Sequence, residues 1–149
     1  MGTDPAMQVI PPEECHRLLG TQRFGRLAVV AEHLPLVFPV NFALDGQVIV
    51  IRTSPGTKLS AADHANVVFE VDEVDEATRS GWSVVVRCLA EEVTGAHLDD
   101  LVARTHAAGA DPWAPGDHGS WLRLIPQAIS GRRIVPGELP PPIDPRAYL

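Results

Sequence analysis

The segment Arg52-Thr53-Ser54-Pro55-Gly56-Thr57-Lys58-Leu59 joins a strongly apolar strand signal to a short helix signal. It concentrates groups that bind phosphate. A Gly/Pro turn exposes successive backbone N–H groups, the helix that follows points its positive dipole end at them, and Arg52, Lys58 and three hydroxyls add charge and donors. The segment is not a Walker A loop. No Gly stands five residues before Gly56 and the order is Gly-Thr-Lys, which disfavours a nucleoside triphosphatase; the spaced glycines of a dinucleotide fingerprint are missing too. The competing reading is a solvated turn, with Arg52 ending its strand in an ion pair to Glu70 or Asp72.

Other chemistries find less support. The chain has no Gly-x-Ser-x-Gly elbow and no recognisable Ser/His/Asp nucleophile signature. The histidines at 16, 33, 64, 97, 106 and 118 include no pair four apart and no cluster with Cys15 or Cys88, so no zinc spacing is present. Cys15 falls in a predicted helix and Cys88 in a predicted strand, which reads as two buried free thiols. Asp72, Glu73, Asp75 and Glu76 read as a solvated acidic loop whose spacing matches no calcium loop. A net charge of −7 with a pI near 5.2 argues against a nucleic-acid partner. No apolar run approaches the roughly 20 residues that span a bilayer, and no basic-then-apolar leader opens the chain, so a cytoplasmic protein is expected.

The elements that must position the turn are mostly strands. Residues 1–6 read as vector-derived, and residues 136–149, with five prolines, as an extended tail; residues 7–135 form one domain. Pro12 to Leu19 reads as a helix, with Pro in its first turn, Glu13 and Glu14 at its positive end and Gly20 beyond it. Strands are expected at Leu27 to Ala31, Leu36 to Phe42, Val48 to Ile51, Val67 to Val71, Trp82 to Val93, Trp121 to Ile125 and Ala128 to Ile134. Asp45-Gly46 suits a tight hairpin turn. Helices are expected at Lys58 to His64 and Ala96 to Ala108. Val48 to Ile51 does not alternate, which implies cover on both faces, the outer cover coming from a helix or a second subunit. Six or seven strands with few helices indicate a mainly β fold, an antiparallel barrel with helical decorations.

Four segments recur around the turn: Gly25-Arg26-Leu27-Ala28-Val29-Val30, Pro39-Val40-Asn41-Phe42-Ala43-Leu44-Asp45-Gly46, Phe69-Glu70-Val71-Asp72 and Gly81-Trp82-Ser83-Val84-Val85-Val86-Arg87. In this order and spacing the chain resembles the pyridoxamine 5′-phosphate oxidase-like FMN-binding split-barrel family, in its nitroimidazole-resistance and flavin-nucleotide-binding branch. The resemblance spans about residues 13 to 134 and implies a homodimer with FMN at its interface. Arg52 and Lys58 would then be the phosphate cations and Thr53 and Thr57 hydroxyl or backbone donors. Asn41 and Phe42 would line the flavin ring, Trp82 and Ser83 would stand near the ring or the ribityl chain, and Trp113, in Pro112-Trp113-Ala114-Pro115-Gly116, would cap the cofactor.

The implied activity is transfer of hydride or electrons from a reduced nicotinamide or deazaflavin donor to a small acceptor. Two alternatives stay open: a deazaflavin coenzyme in place of FMN, whose longer acidic tail would call for more Lys or Arg, and a non-catalytic flavin- or haem-binding protein. The chain also departs from the pattern. Ser130-Gly131-Arg132-Arg133-Ile134 lacks the Arg-x-His substrate motif of true pyridoxamine-phosphate oxidases, and Cys88 stands where relatives commonly carry Gly.

Overall fold

The computed structural model describes residues 6–105 and 119–136. Eight strands and three helices follow in the order β1 (Ala6–Ile10), α1 (Pro12–Leu19), β2 (Phe24–Ala31), β3 (Leu34–Asn41), β4 (Ala43–Asp45), β5 (Val48–Thr53), α2 (Thr57–Ala62), β6 (Asn66–Asp75), β7 (Ser80–Val93), α3 (Ala96–Thr105) and β8 (Ser120–Val135). The strands form one curled antiparallel sheet in the order β3-β2-β6-β7-β8-β5-β4, with β1 paired to the far end of β8. Its two edges, β3 and β4, are consecutive in the chain and separated by the single residue Phe42. The backbone therefore folds over the open seam. The Phe42 N–H donates to the Arg23 carbonyl at 3.0 Å, which fixes this crossing.

Alternation decides the two faces. Leu27, Val29, Phe69, Val71, Val84, Val86, Ile51 and Leu124 point inward and are at most 3% exposed, forming one core with α1 residues Cys15, Leu18 and Leu19. The hairpin expected at Asp45-Gly46 is present: Asp45 pairs with Val48, and Gly46 takes φ 61° in the turn. At the Pro126 position, where two strands were expected, the chain runs on as one strand. Pro126 has no N–H to donate, and the ladder accommodates it by a register shift at Arg87/Cys88.

Residues 6 to 10 form a strand that the sequence did not indicate, β1, with Ala6 opposite Val135. The acidic residues Asp72, Glu73 and Asp75 lie in β6 rather than in a loop, because β6 runs on to Asp75 opposite Ser80. Ile49, Val50 and Ile51 are all fully buried, as the unalternating run implies, but the outer cover comes from this chain. Val50 packs with Val93, Leu101 of α3 and Trp121, and Arg104 clamps α3 to Asp45 through Nε and Nη2 contacts of 3.1 and 2.9 Å. This strand gives no argument for a second subunit. No helix in the described residues is long and apolar enough to cross a membrane.

Candidate functional site

The side chains around the turn after β5 do not all face one way. Arg52 and Thr53 are adjacent in a strand and face opposite sides. Arg52 lies opposite Trp121 in the ladder and its guanidinium carbon stands 5.3 Å from the Trp121 ring centroid, on the outer face. Thr53 is buried at 1% exposure and its hydroxyl contacts the Ser54 carbonyl at 3.4 Å. Glu70 and Asp72, considered above as partners of Arg52, instead hold Arg26 at 3.1 and 3.3 Å.

Lys58 is the more informative cation. Helix α2 has only six residues, so its dipole is small and side chains must supply most of the charge. The Lys58 ammonium stands 5.4 Å from the Phe38 ring centroid, and burial pushes its pKa below the usual lysine value of 10.5. No carboxylate among the described residues pairs with it. A partly desolvated ammonium that, among the described residues, an aromatic face alone stabilises is poised for an anion. Thr57, beside it, is exposed.

Two separate grooves adjoin these residues. One, of about 660 Å³, lies between α2 and the β2–β3 hairpin, with Thr57 and Ser60 on one side and Leu34 and Leu36 on the other. The second, of about 540 Å³, holds Trp82, Ser83 and Arg132 among Met7, Val74 and Ile134. No residue lines both. Ser83 is opposite Arg132 on β8 and Asp72 on β6, and Arg26 neutralises Asp72. Arg52 is level with Val93, eleven residues beyond Trp82 on β7 and so about 35 Å of strand away. Among the described residues, these two grooves share none of the sequence-derived site residues.

Asn41 and Phe42 divide between shell and core. Asn41 is 9% exposed, with its amide 3.5 Å from the Arg23 carbonyl. Phe42 is 1% exposed and meets Phe69 edge to face at 5.0 Å, so in this conformation it is part of the core. Cys88 is likewise buried, and desolvation drives its thiol pKa up to about 12, leaving it inert as a thiolate. Trp113 and its Pro/Gly segment lie outside the described residues. Phe38 and Arg132 were not singled out in the sequence. Phe38 sits in the apolar run before Pro39, where nothing but its pairing with a later lysine marks it; Arg132 was visible only as part of a departed motif.

Known proteins place this architecture. Residues 11–133 match the family model described as pyridoxamine 5′-phosphate oxidase. The chain is 34% identical to a putative pyridoxamine 5′-phosphate oxidase of Corynebacterium glutamicum, with a TM-score of 0.73 and coverage of 92% of this chain and 100% of that one. It is 32% identical to a structure described as the FAD binding protein of Mycobacterium smegmatis, with a TM-score of 0.65 and coverage of 86% and 98%. An uncharacterized protein of Mycobacterium tuberculosis is 33% identical over 129 residues, 83% of this chain and 82% of the relative.

Proposed function

Because the chain belongs to the pyridoxamine 5′-phosphate oxidase family, we propose that it binds a flavin nucleotide, FMN or the FMN half of FAD, and serves as an oxidoreductase in a homodimer. The carrying observation is the Lys58 ammonium, half-buried over Phe38 and paired with no carboxylate among the described residues. The first phosphate of the flavin takes that position, with Thr57 as a neighbouring donor. A bound flavin supplies the hydride and electron chemistry. The protein supplies position: Lys58 holds the phosphate, while Trp82 and Ser83 offer an aromatic face and a hydroxyl to the ring end. The electron donor is a reduced nicotinamide or deazaflavin and the acceptor a small molecule.

The separation of the two grooves supports a homodimer. A mononucleotide that touches Lys58 and also Trp82 would take them from different subunits: Trp82 lines one groove, Thr57 beside Lys58 lines the other, and the two share no lining residue. The outer sheet face supports this, because among the described residues Val9, Val30, Val37 and Val74 there are each more than 60% exposed. The Mycobacterium smegmatis relative favours FAD as a second reading of the cofactor. FMN and FAD share the flavin and its first phosphate, so both fit the Lys58 assignment.

The deciding experiment is flavin titration of cofactor-stripped protein, with the visible spectrum of freshly purified material beside it. Paired near-ultraviolet and blue bands and saturable FMN binding are expected. A dominant Soret band, or no flavin binding, would overturn the reading.

A further inference from the structure

We propose that Asp72 is the proton donor to the acceptor, drawing on a proton it shares with Glu70 at the groove beside Ser83. The inference rests on the flavin reading made above and names a residue for its acceptor half. Its first support is position. Asp72 is opposite Ser83 in the β6–β7 ladder, which sets their Cβ atoms about 5 Å apart, and both line the 540 Å³ groove that holds Trp82. The Asp72 side chain is 37% exposed, so a molecule lying in that groove can reach it.

The second support is a charge count. Glu70 and Asp72 stand two residues apart on β6 and share its outer face. One nitrogen of Arg26, Nη1, meets both carboxylates, at 3.1 Å to Glu70 and 3.3 Å to Asp72. One guanidinium offsets only one of them. Across the ladder Glu70 faces the apolar Val85, with Arg87 on the diagonal, and Asp72 faces Ser83, with Arg132 one strand farther on. Asp75, Glu76 and Arg79 gather at the hairpin end of the groove. Two carboxylates held against one cation favour keeping one proton between them. Burial, together with Asp72 beside it, pushes the Glu70 carboxyl above its usual value of 4.5 against the pull of Arg26.

A proton is what an acceptor in the groove still needs once it has taken a hydride, two electrons, from the reduced flavin. The shared proton crosses from Glu70 to Asp72 and from Asp72 to the acceptor, whose new bond to hydrogen replaces the carboxyl O–H; water then reprotonates the pair. Asp72 touches the acceptor. Glu70 and Arg26 are positioning residues behind it.

The test mixes flavin-loaded protein, reduced with dithionite, with menadione, which must gain protons to become its hydroquinone, and with ferricyanide, which accepts electrons alone. Asp72→Asn should lower the menadione-to-ferricyanide rate ratio by about tenfold or more and Glu70→Gln severalfold, and the fall of the wild-type ratio with rising pH should flatten in both. A carboxyl NMR titration of apo protein reads the shared proton without cofactor: Glu70 should titrate above its usual value in wild type and closer to it in Asp72→Asn. An unchanged rate ratio, or a Glu70 titration that Asp72→Asn does not move, would overturn the donor assignment, and flavin binding would still stand by itself. Protein that binds no flavin would remove both.

Discussion

Replacing Lys58 with alanine separates a ligand cation from a structural one. In the free protein two small effects oppose each other: truncation loses a partly exposed cation–π contact with Phe38, about 0.5–1 kcal/mol, and relieves the desolvation that depresses the lysine pKa. Apo stability should therefore change by less than about 1 kcal/mol. With flavin bound, the variant loses a charge-assisted hydrogen bond to phosphate, about 1.5–3 kcal/mol, or about ten- to a hundred-and-fifty-fold in affinity. Fluorescence titration with FMN and urea unfolding of the apo form measure the two quantities separately. Lys58→Arg should recover most of the affinity, because the charge is kept. The pH dependence has a definite sign. A lysine whose folded pKa lies below 10.5 takes up fewer protons than the unfolded chain does, so wild-type apo stability, relative to Lys58→Ala, should rise with pH through the lowered pKa up to about 10.5. Phosphate favours the charged form, so FMN affinity should fall over the same window. Unchanged affinity in Lys58→Ala, or a large apo destabilisation with normal binding, would refute the assignment.

Three further outcomes follow from the packing. A Cβ at Gly131 would lie 2.6 Å from the Cys15 sulfur, so Gly131→Ala should cost about 1–3 kcal/mol in urea unfolding, and adding Cys15→Ala should restore part of it. Phe42→Ala should cost about 3–5 kcal/mol of apo stability, since its ring is enclosed against Phe69; normal stability with lost flavin would return Phe42 to the ring-lining role the resemblance implies. Light scattering at micromolar concentration should report about twice the 16.1 kDa chain mass, and a monomer that holds flavin would contradict the shared site.

Local chemistry made much of the fold legible. Pro12, the paired glutamates and Gly20 marked α1, Asp45-Gly46 marked its hairpin, and the β-branched runs marked the central strands. Strand β1 was not legible, because its partner β8 lies more than a hundred residues away and five residues carry little pattern of their own. Nor was the length of β6: its last residues carry acidic side chains on both faces, and such a run resembles a loop unless its pairing with β7 is seen. The site was legible as composition more than as geometry. Sequence adjacency suggested that Arg52, Thr53 and Lys58 act together, whereas the period of a strand sends Arg52 and Thr53 to opposite faces and the turn carries Lys58 to Phe38. Burial of Phe42 was not legible either, because it depends on the seam crossing that turns its side chain toward Phe69.

The central claim, that a flavin phosphate rests on Lys58, is tested most directly by titrating cofactor-stripped wild-type and Lys58→Ala proteins with FMN and with riboflavin, which lacks the phosphate. The account predicts that wild type binds FMN far more tightly than riboflavin and that Lys58→Ala loses about ten- to a hundred-and-fifty-fold for FMN while riboflavin affinity is unchanged. Equal loss for both ligands, or no loss for either, would contradict it.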